Sequence, residues 1–352
     1  MWWNSPGLID VNALTPERLS AFGLDLNNAA DRNLLIARLD SATAAVRGFR
    51  APYAGYPLSA TVAQSLRPFP QFASITSLWS PLGKTWYDSL QVKGTKRFSH
   101  DLSFVSNFTW SKNLAMGAPT NVTTGSTGGG SVNDVFNRNS NKYLSPFDQP
   151  FSFNTSLNYT TPALRGHKVI SWTISDWTIG AYVSYGSGLP ILAPAAQNNL
   201  NPLVLRNLTG ALSYANRVPD QPLFTHDLNC HCFDPSKEFV LNPNAWAEPA
   251  PGQFGTGAAY YSDYRAVRTP RENLAVGRTF RFGEGKASFN IRGEFTNILN
   301  RTILPDPTST NARATQTTSN GVTTAGFGRI NTTATPAIPT SRQGMIVGRV
   351  TF

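Results

Sequence analysis

Residues 85–112 alternate apolar and polar side chains with a period of two along two arms, which a sharp reversal at residues 99–102 separates. Such alternation is typical of β-strands whose two faces meet different surroundings. The apolar positions are Leu90, Val92 and Phe98 on the first arm and Phe104, Phe108 and Trp110 on the second. Each arm is about twice as long as a strand of a soluble sheet, whereas strands of roughly 9 to 11 residues with one apolar face cross a lipid bilayer. This stretch therefore predicts two antiparallel strands in the wall of a transmembrane β-barrel.

The same pattern recurs in five later segments. They cover residues 151–160, 177–185, 272–282, 286–299 and 343–352. Connections are short after the first, third and fifth strands and long after the second, fourth and sixth. This asymmetry is the layout of bacterial outer-membrane barrels, in which tight turns face the periplasm and long loops face the outside. We therefore predict extracellular long loops and a periplasmic C-terminus.

The number of strands predicts an incomplete barrel. Single-chain bacterial barrels have even numbers of strands from about 8 upwards, and this sequence supplies only about seven or eight long strands. The predicted fold is thus all-β: an antiparallel transmembrane β-barrel segment, or partial barrel, over residues 85–352. Residues 1–84 are expected to form an extracellular loop region with short helices. Thr15 before Pro16 is a good helix start, and residues 31–46 have the apolar spacing of a second helix.

Charge and hydropathy exclude other classes of protein. Charged residues make up 14% of the chain, against about 25% in ordinary soluble domains. The net charge of +10 comes from 30 basic and 20 acidic residues without a long basic run, so nucleic-acid binding is not expected. No window approaches the length of apolar residues that a membrane-spanning helix needs. The first residues lack the features of a secretory signal, so we expect an exported form to carry its targeting segment upstream of Met1.

Six motifs follow one another in a specific order and spacing. They are TVAQSLRPFPQF at residues 61–72, YDSLQVKGTKRFSHDLSFVSNFTWSKNL at 87–114, SGLP at 187–190, FDPSKEFVLNPNAWAEPAPGQFGTG at 233–257, FNIRGEFTNILNR at 289–301 and the terminal RQGMIVGRVTF. Together they resemble the C-terminal barrel region of Oar-like TonB-dependent receptors. The resemblance covers nearly the whole chain from Thr61 onwards.

This resemblance implies a wall of about 22 strands around an N-terminal plug, energised by the periplasmic protein TonB. The plug, the TonB-contacting box and the family's usual N-terminal carboxypeptidase-like domain do not occur in this sequence. The chain is therefore expected to supply roughly the last third of such a wall. The implied function is uptake of a bulky extracellular ligand. The implied partners are outer-membrane lipid, the missing plug, the remaining barrel strands and, through the full-length protein, TonB.

The cysteines carry the clearest candidate chemistry. Cys230, His231 and Cys232, with Asp234 close by, have ligand types that suit zinc or copper. Three clustered ligands need a fourth from elsewhere, and exported compartments favour disulfides, so we favour a disulfide between the two cysteines over a metal site. The sequence contains no recognisable nucleophile with a base and an orienting group. We therefore predict that the protein is not an enzyme and binds no cofactor.

Two further sets of residues are predicted from strand parity. Charged side chains expected to face the lumen are Lys93, Arg97, Arg292, Glu294 and Arg349. We expect them to pair with the plug or with one another rather than with substrate, because charges in a packed lumen normally find partners. Aromatic side chains expected at the membrane interface are Phe98, Trp110, Tyr159, Tyr185 and Phe352. The alternative is that these aromatic residues only contribute packing within the sheet.

Two other functions remain open from the sequence. One is a surface or adhesion barrel whose loops bind an extracellular partner without energised import. The other is a secreted, soluble β-sandwich that binds glycan. An upstream plug domain would favour the receptor over the adhesion barrel, and recovery without detergent would favour the sandwich.

Overall fold

The computed structural model describes residues 9–73, 75–77, 84–99, 101–116, 133–134, 136–162, 173–196, 203–204, 213–230, 232–282, 287–333 and 341–352. Its main element is one antiparallel sheet of long strands, which we call the wall strands. They are β3 (Lys84–Ser99), β4 (Leu102–Met116), β6 (Phe151–Thr160), β7 (Trp177–Gly186), β10 (Arg271–Phe282), β11 (Ala287–Thr296) and β14 (Gln343–Thr351). Each wall strand pairs with the next along the chain, in the order β14-β11-β10-β7-β6-β4-β3.

The remaining elements are short. The helices are α1 (Pro16–Ala21), α2 (Ala29–Ile36), α3 (Ala42–Val46) and α4 (Val62–Ser65), with 3-10 turns at Arg138–Asn141 and Pro243–Ala245. The short strands are β1 (Ile9–Asp10), β2 (Thr76–Ser77), β5 (Lys142–Leu144), β8 (Asn216–Arg217), β9 (Trp246–Ala247), β12 (Thr317–Ser319) and β13 (Val322–Ala325). Strand β5 joins the main sheet as an eighth strand by pairing with the end of β4. In the part of the chain that the structure describes, every helix is too short or too polar to cross a membrane.

The prediction of an all-β antiparallel fold with these strands is confirmed, with differences at the strand ends. The segment predicted to run to residue 299 ends as a strand at Thr296, because Asn297 adopts a left-handed φ of 48° and stops the ladder. The first hairpin turns tightly, with Ser99 paired to Leu102. Just before this turn the register shifts between Lys96 and Ser99, which introduces a β-bulge into β3.

The pairing register sorts the wall side chains onto two faces. One cross-strand row on the apolar face joins Phe104, Leu157, Ala181, Leu274 and Phe295. The ring of Phe295 continues this row over Gly344 of β14, where an added Cβ would lie only 2.8 Å from the ring. Glycine is therefore required there, since the aromatic ring covers the bare backbone.

The apolar face is left uncovered. On this face the exposed fraction of Trp110 is 64% and that of Ile346 is 80%. Two hydrophobic cores occur among the described residues, and neither contains a side chain of a wall strand. The soluble β-sandwich requires a second layer against this face, and the described residues form none. The exposed apolar face is instead suited to contact with lipid hydrocarbon.

The first core lies in the long connections of the sheet, and we call this region the loop module. It joins the segment between β7 and β10 to the segment between β11 and β14. Its buried members include Ile191, Tyr214, Leu241, Trp246, Tyr264, Phe327 and Ile330. The long loops are therefore not irregular chain but a folded unit with its own apolar interior.

The second core belongs to residues 9–77, which we call the N-terminal module. Thr15 caps α1 by accepting a hydrogen bond from the Arg18 backbone N–H, as the Thr15 and Pro16 signal predicts. The prediction of a single helix over residues 31–46 is wrong, because the chain forms two helices there, α2 and α3. The backbone between them forms an isolated bridge from Arg38 to Thr61, which diverts the chain out of the helical conformation.

Candidate functional site

The polar face of the sheet is the first candidate functional surface. One cross-strand row on this face joins Lys93, Asn107, Asn154, Ser184 and Arg271. Within it the Ser184 hydroxyl donates a hydrogen bond to Asn154 Oδ1 at 2.7 Å. The neutral middle of this row thus forms hydrogen bonds across the strands, and a cation, Lys93 or Arg271, lies at each end.

Four of the five charged lumen candidates occupy this same face, in different surroundings. Arg292 and Glu294 form an ion pair of 2.5 Å between the guanidinium and the carboxylate, and both side chains are partly exposed. Arg349 lies opposite Asn290, and Lys93 lies opposite Asn107. Arg97 falls within the β-bulge, so the pairing register does not assign it to a face. The structure therefore brings Arg292 and Glu294 together and leaves the other three apart.

A shallow depression of about 710 Å³ lies over the polar face. Its polar lining includes Ser156, Asn158, Tyr182, Asn273 and Glu294. Apart from Glu294, these residues are not among the lumen-facing residues predicted from the sequence, all of which are charged. The signal that could have found them was present, since each occupies a polar position in the alternating pattern.

The predicted interfacial aromatics have different environments. Trp110 is widely exposed on the apolar face, and Phe352 lies just beyond β14 with an exposed fraction of 96%. Tyr159 is half-buried, and the side chain of Phe98 lies outside the described residues. Tyr185 is tied to a polar group, because its hydroxyl donates a hydrogen bond of 3.0 Å to the carboxylate of Glu272. The interfacial role of these residues stays a prediction.

The apolar face also carries a cation, Arg278, that was not predicted from the sequence. Arg278 lies in β10 with its guanidinium over the rings of Trp177, at 5.6 Å, and Phe280, at 4.8 Å. Contact with aromatic faces stabilises a guanidinium where water is scarce. Strand parity shows Arg278 on this face, but only the fold brings Trp177 beside it.

The loop module is attached to the end of the sheet by a buried ion pair. Arg265 binds the carboxylate of Asp148, whose side chain is almost fully buried just before β6. The same carboxylate accepts a hydrogen bond from the Asn113 backbone N–H at 2.6 Å. Breaking such a buried pair is costly, so these contacts fix the loop module to the sheet.

The cysteines lie in this module. Cys230 and Cys232 are joined in a disulfide, so their sulfur atoms bond to each other. Hydrogen bonds from Ser236 lower the pKa of Asp234 to about 2, and Lys237 lies 3.1 Å from the same carboxylate. His231 lies outside the described residues. Cys230, Cys232 and Asp234, the candidate metal ligands that the structure describes, are therefore all bonded to other groups of the protein.

Burial keeps the tyrosines of the loop module neutral. It raises the pKa of Tyr214 and Tyr264 well above the ordinary value for a phenol. Both side chains are enclosed in the apolar core of the module. These residues therefore act in packing rather than as acids or bases at neutral pH.

Comparison with protein families agrees with this architecture. The model of a family described as an outer membrane beta barrel domain matches residues 10–344, which is most of the chain. No curated protein and no solved structure matches this chain. The family implies the bacterial outer membrane, where an exposed apolar face meets lipid and a polar face meets the lumen. The chain therefore belongs to the outer membrane β-barrel domain family.

Proposed function

We propose that this chain forms the C-terminal part of the barrel wall of an Oar-like, TonB-dependent outer-membrane receptor that imports a bulky ligand. The observation that carries the proposal is a sheet with two open edges. Among the described residues, the outer edges of β3 and β14 pair with no further long strand. A sheet exposed to lipid needs its edge hydrogen bonds satisfied, so further wall strands must complete the barrel.

The proposed orientation follows from the connections of the sheet. The loop module and the N-terminal module lie on the extracellular side, and the tight turns and C-terminus lie in the periplasm. Outer-membrane barrels have this arrangement of short and long connections. The loops then meet the ligand first, whereas the polar face meets a plug inside the wall.

The proposed partners follow from the surfaces. Lipid covers the apolar face, additional strands extend β3 and β14, and a plug packs against the row of Asn107, Asn154 and Ser184. TonB acts through the full-length protein. The proposed role is binding and transport without catalysis or a cofactor.

A second candidate is a surface or adhesion barrel without energised import. The folded loop module favours it, because a preformed surface with its own core can hold an extracellular protein or glycan without transport. The two candidates share the wall and differ in what fills the lumen.

Thiol labelling tests the proposed orientation. Ser319 lies in β12 within the last long connection and Phe352 is the last residue, and both are exposed. On intact cells, a membrane-impermeant maleimide is expected to label the Ser319→Cys variant. It should label the Phe352→Cys variant only after the outer membrane is permeabilised. Labelling of Phe352→Cys on intact cells would reverse the proposed orientation.

Crosslinking from the polar face separates the receptor from the adhesion barrel. A photoreactive amino acid in place of Ser156, which is exposed on this face, is expected to crosslink to a plug domain in the full-length protein in native membranes. The same group in place of Leu157, on the apolar face, should capture lipid and no plug. If neither position captures a polypeptide, the receptor proposal fails and the adhesion barrel is favoured.

A further inference from the structure

A cleft of about 570 Å³ opens where the loop module meets the sheet. Its side-chain lining includes Phe151, Tyr185, Asn229, Arg268, Pro270 and Arg301. Phe151 begins β6, Tyr185 lies one residue before the end of β7, and Arg268 and Pro270 precede β10. The cleft thus lies at the strand ends nearest the long loops.

The pairing register shows that this cleft opens on the apolar face. Tyr185 pairs with Phe153, which pairs with Phe108, and all three lie on that face. Beyond the strands the ladder between β7 and β10 continues, because the Thr269 backbone N–H donates to the Gly186 carbonyl at 3.3 Å. Alternation along this extension places Arg268 on the same face as Glu272 and Tyr185. The cleft therefore faces the lipid side of the wall, not the lumen.

Two guanidinium groups give this cleft an excess of positive charge. Arg301 binds the carboxylate of Glu272 at 2.9 Å and keeps 41% of its side chain exposed. The Arg268 side chain is exposed and forms no ion pair with a described residue, while its backbone N–H donates to Asn229 Oδ1 at 3.0 Å. The lining of the cleft thus carries two cations and no carboxylate, since Glu272 is bound to Arg301 and Asp227 lines the adjoining depression, so the cleft is complementary to an anion.

The position of Arg268 matches the depth of lipid head groups. It lies three residues before the first residue of β10, which is about 10 Å beyond the end of the spanning strand. Next to the cleft, Phe151 pairs with Trp110, and both aromatic rings are exposed on the apolar face. Aromatic side chains mark the boundary between hydrocarbon and head groups, and Arg268 lines the same cleft as Phe151, so its guanidinium lies at that boundary.

We propose that this cleft binds the phosphate group of a phosphorylated lipid in the outer leaflet. Guanidinium groups bind phosphate oxygens through two parallel hydrogen bonds, and the rings of Phe151 and Tyr185 contact the adjoining apolar part of the lipid. The inference rests on the proposed extracellular position of the long loops. A lipid is the favoured source of the phosphate because the cleft opens toward the bilayer.

Binding of diphosphorylated lipid A tests the proposal. The full-length protein is reconstituted in vesicles of digalactosyldiacylglycerol, a lipid without phosphate, that contain a trace of dansyl-labelled lipid A, and energy transfer from tryptophan measures binding. The Arg268→Gln variant is expected to lose roughly five- to tenfold in affinity, as for one lost contact between a cation and a phosphate. The Arg313→Gln variant removes another exposed charge, which lies outside the cleft, and should bind like the unmodified protein.

Three comparisons make the result specific. Lipid A without phosphates should bind weakly, and with equal affinity, to both variants and to the unmodified protein. Inorganic phosphate should compete poorly with diphosphorylated lipid A. Equal losses for Arg268→Gln and Arg313→Gln would overturn the cleft as the site. Strong competition by inorganic phosphate would overturn the lipid as its source. A full-length protein that inserts into vesicles without phosphate-dependent binding refutes this inference alone, whereas a full-length protein that fails to insert refutes the proposed function as well.

Discussion

Replacing Ala181 with arginine is expected to destabilise the membrane-inserted sheet by about 2–4 kcal/mol, which is the cost of a cation facing lipid near the bilayer midplane. Ala181 lies in the middle of β7 on the apolar face, between Leu157 of β6 and Leu274 of β10. Neither neighbour can pair with a guanidinium. The long side chain must therefore bend towards the nearest interface or draw water into the bilayer, and both responses cost free energy.

A matched substitution on the other face isolates this effect. Ala275 of β10 lies on the polar face between Gly180 and Glu294. Arginine at Ala275 has a carboxylate across the strand pair and is expected to change the free energy of unfolding by less than about 1 kcal/mol. Denaturant titration of the full-length protein folded in phospholipid vesicles measures both variants. Equal costs for the two substitutions would show that the apolar face does not meet lipid.

Replacing Arg67 with methionine is expected to release the N-terminal module from Leu203 and Val204 of the connection between β7 and β10, at a cost of roughly 2–4 kcal/mol. The exposed fraction of Arg67 is 1%, and its guanidinium donates to the carbonyls of Asn12, Leu203 and Val204. The bond to Asn12 is 2.8 Å long. Methionine has a similar length but no donor, so it leaves these carbonyls buried without the charged group that bridges them.

Hydrogen exchange of the refolded chain measures this release. In the Arg67→Met variant, faster exchange is expected in residues 9–77 and at Val204, with unchanged exchange in the wall strands. Arg50 is exposed, and Arg50→Met makes the same chemical change without removing a buried bridge. Faster exchange in both variants, or in neither, would contradict the role assigned to Arg67.

Strand positions could be predicted because their cause is local. A strand exposed to lipid on one face alternates with a period of two, and this period can be counted along β3 and β6 without knowing any partner. The same holds for the start of α1, where Thr15 and Pro16 suffice. The prediction of one helix over residues 31–46 was wrong because a bridge to Thr61, far along the chain, decides where α2 ends.

The candidate site was only partly predictable. Parity placed Arg292 and Glu294 on the polar face, since neighbours two apart in a strand share a side. The contacts of Glu272 with Tyr185 and Arg301 join three separate elements, and no local pattern reports them. For the same reason the cleft beside Arg268 was not predicted.

The sequence by itself determined the number of wall strands, their two faces and the alternation of short and long connections. Each of these follows from side-chain periodicity and from where turns interrupt it. Only the tertiary structure decided that the long connections fold into a module, that Arg67 joins the N-terminal module to Leu203 and Val204, and that Arg268 and Arg301 share a cleft on the apolar face. These features depend on contacts between residues far apart in the chain. Burial and ion pairing require only that residues be close in space, so they produce no periodic pattern in the sequence.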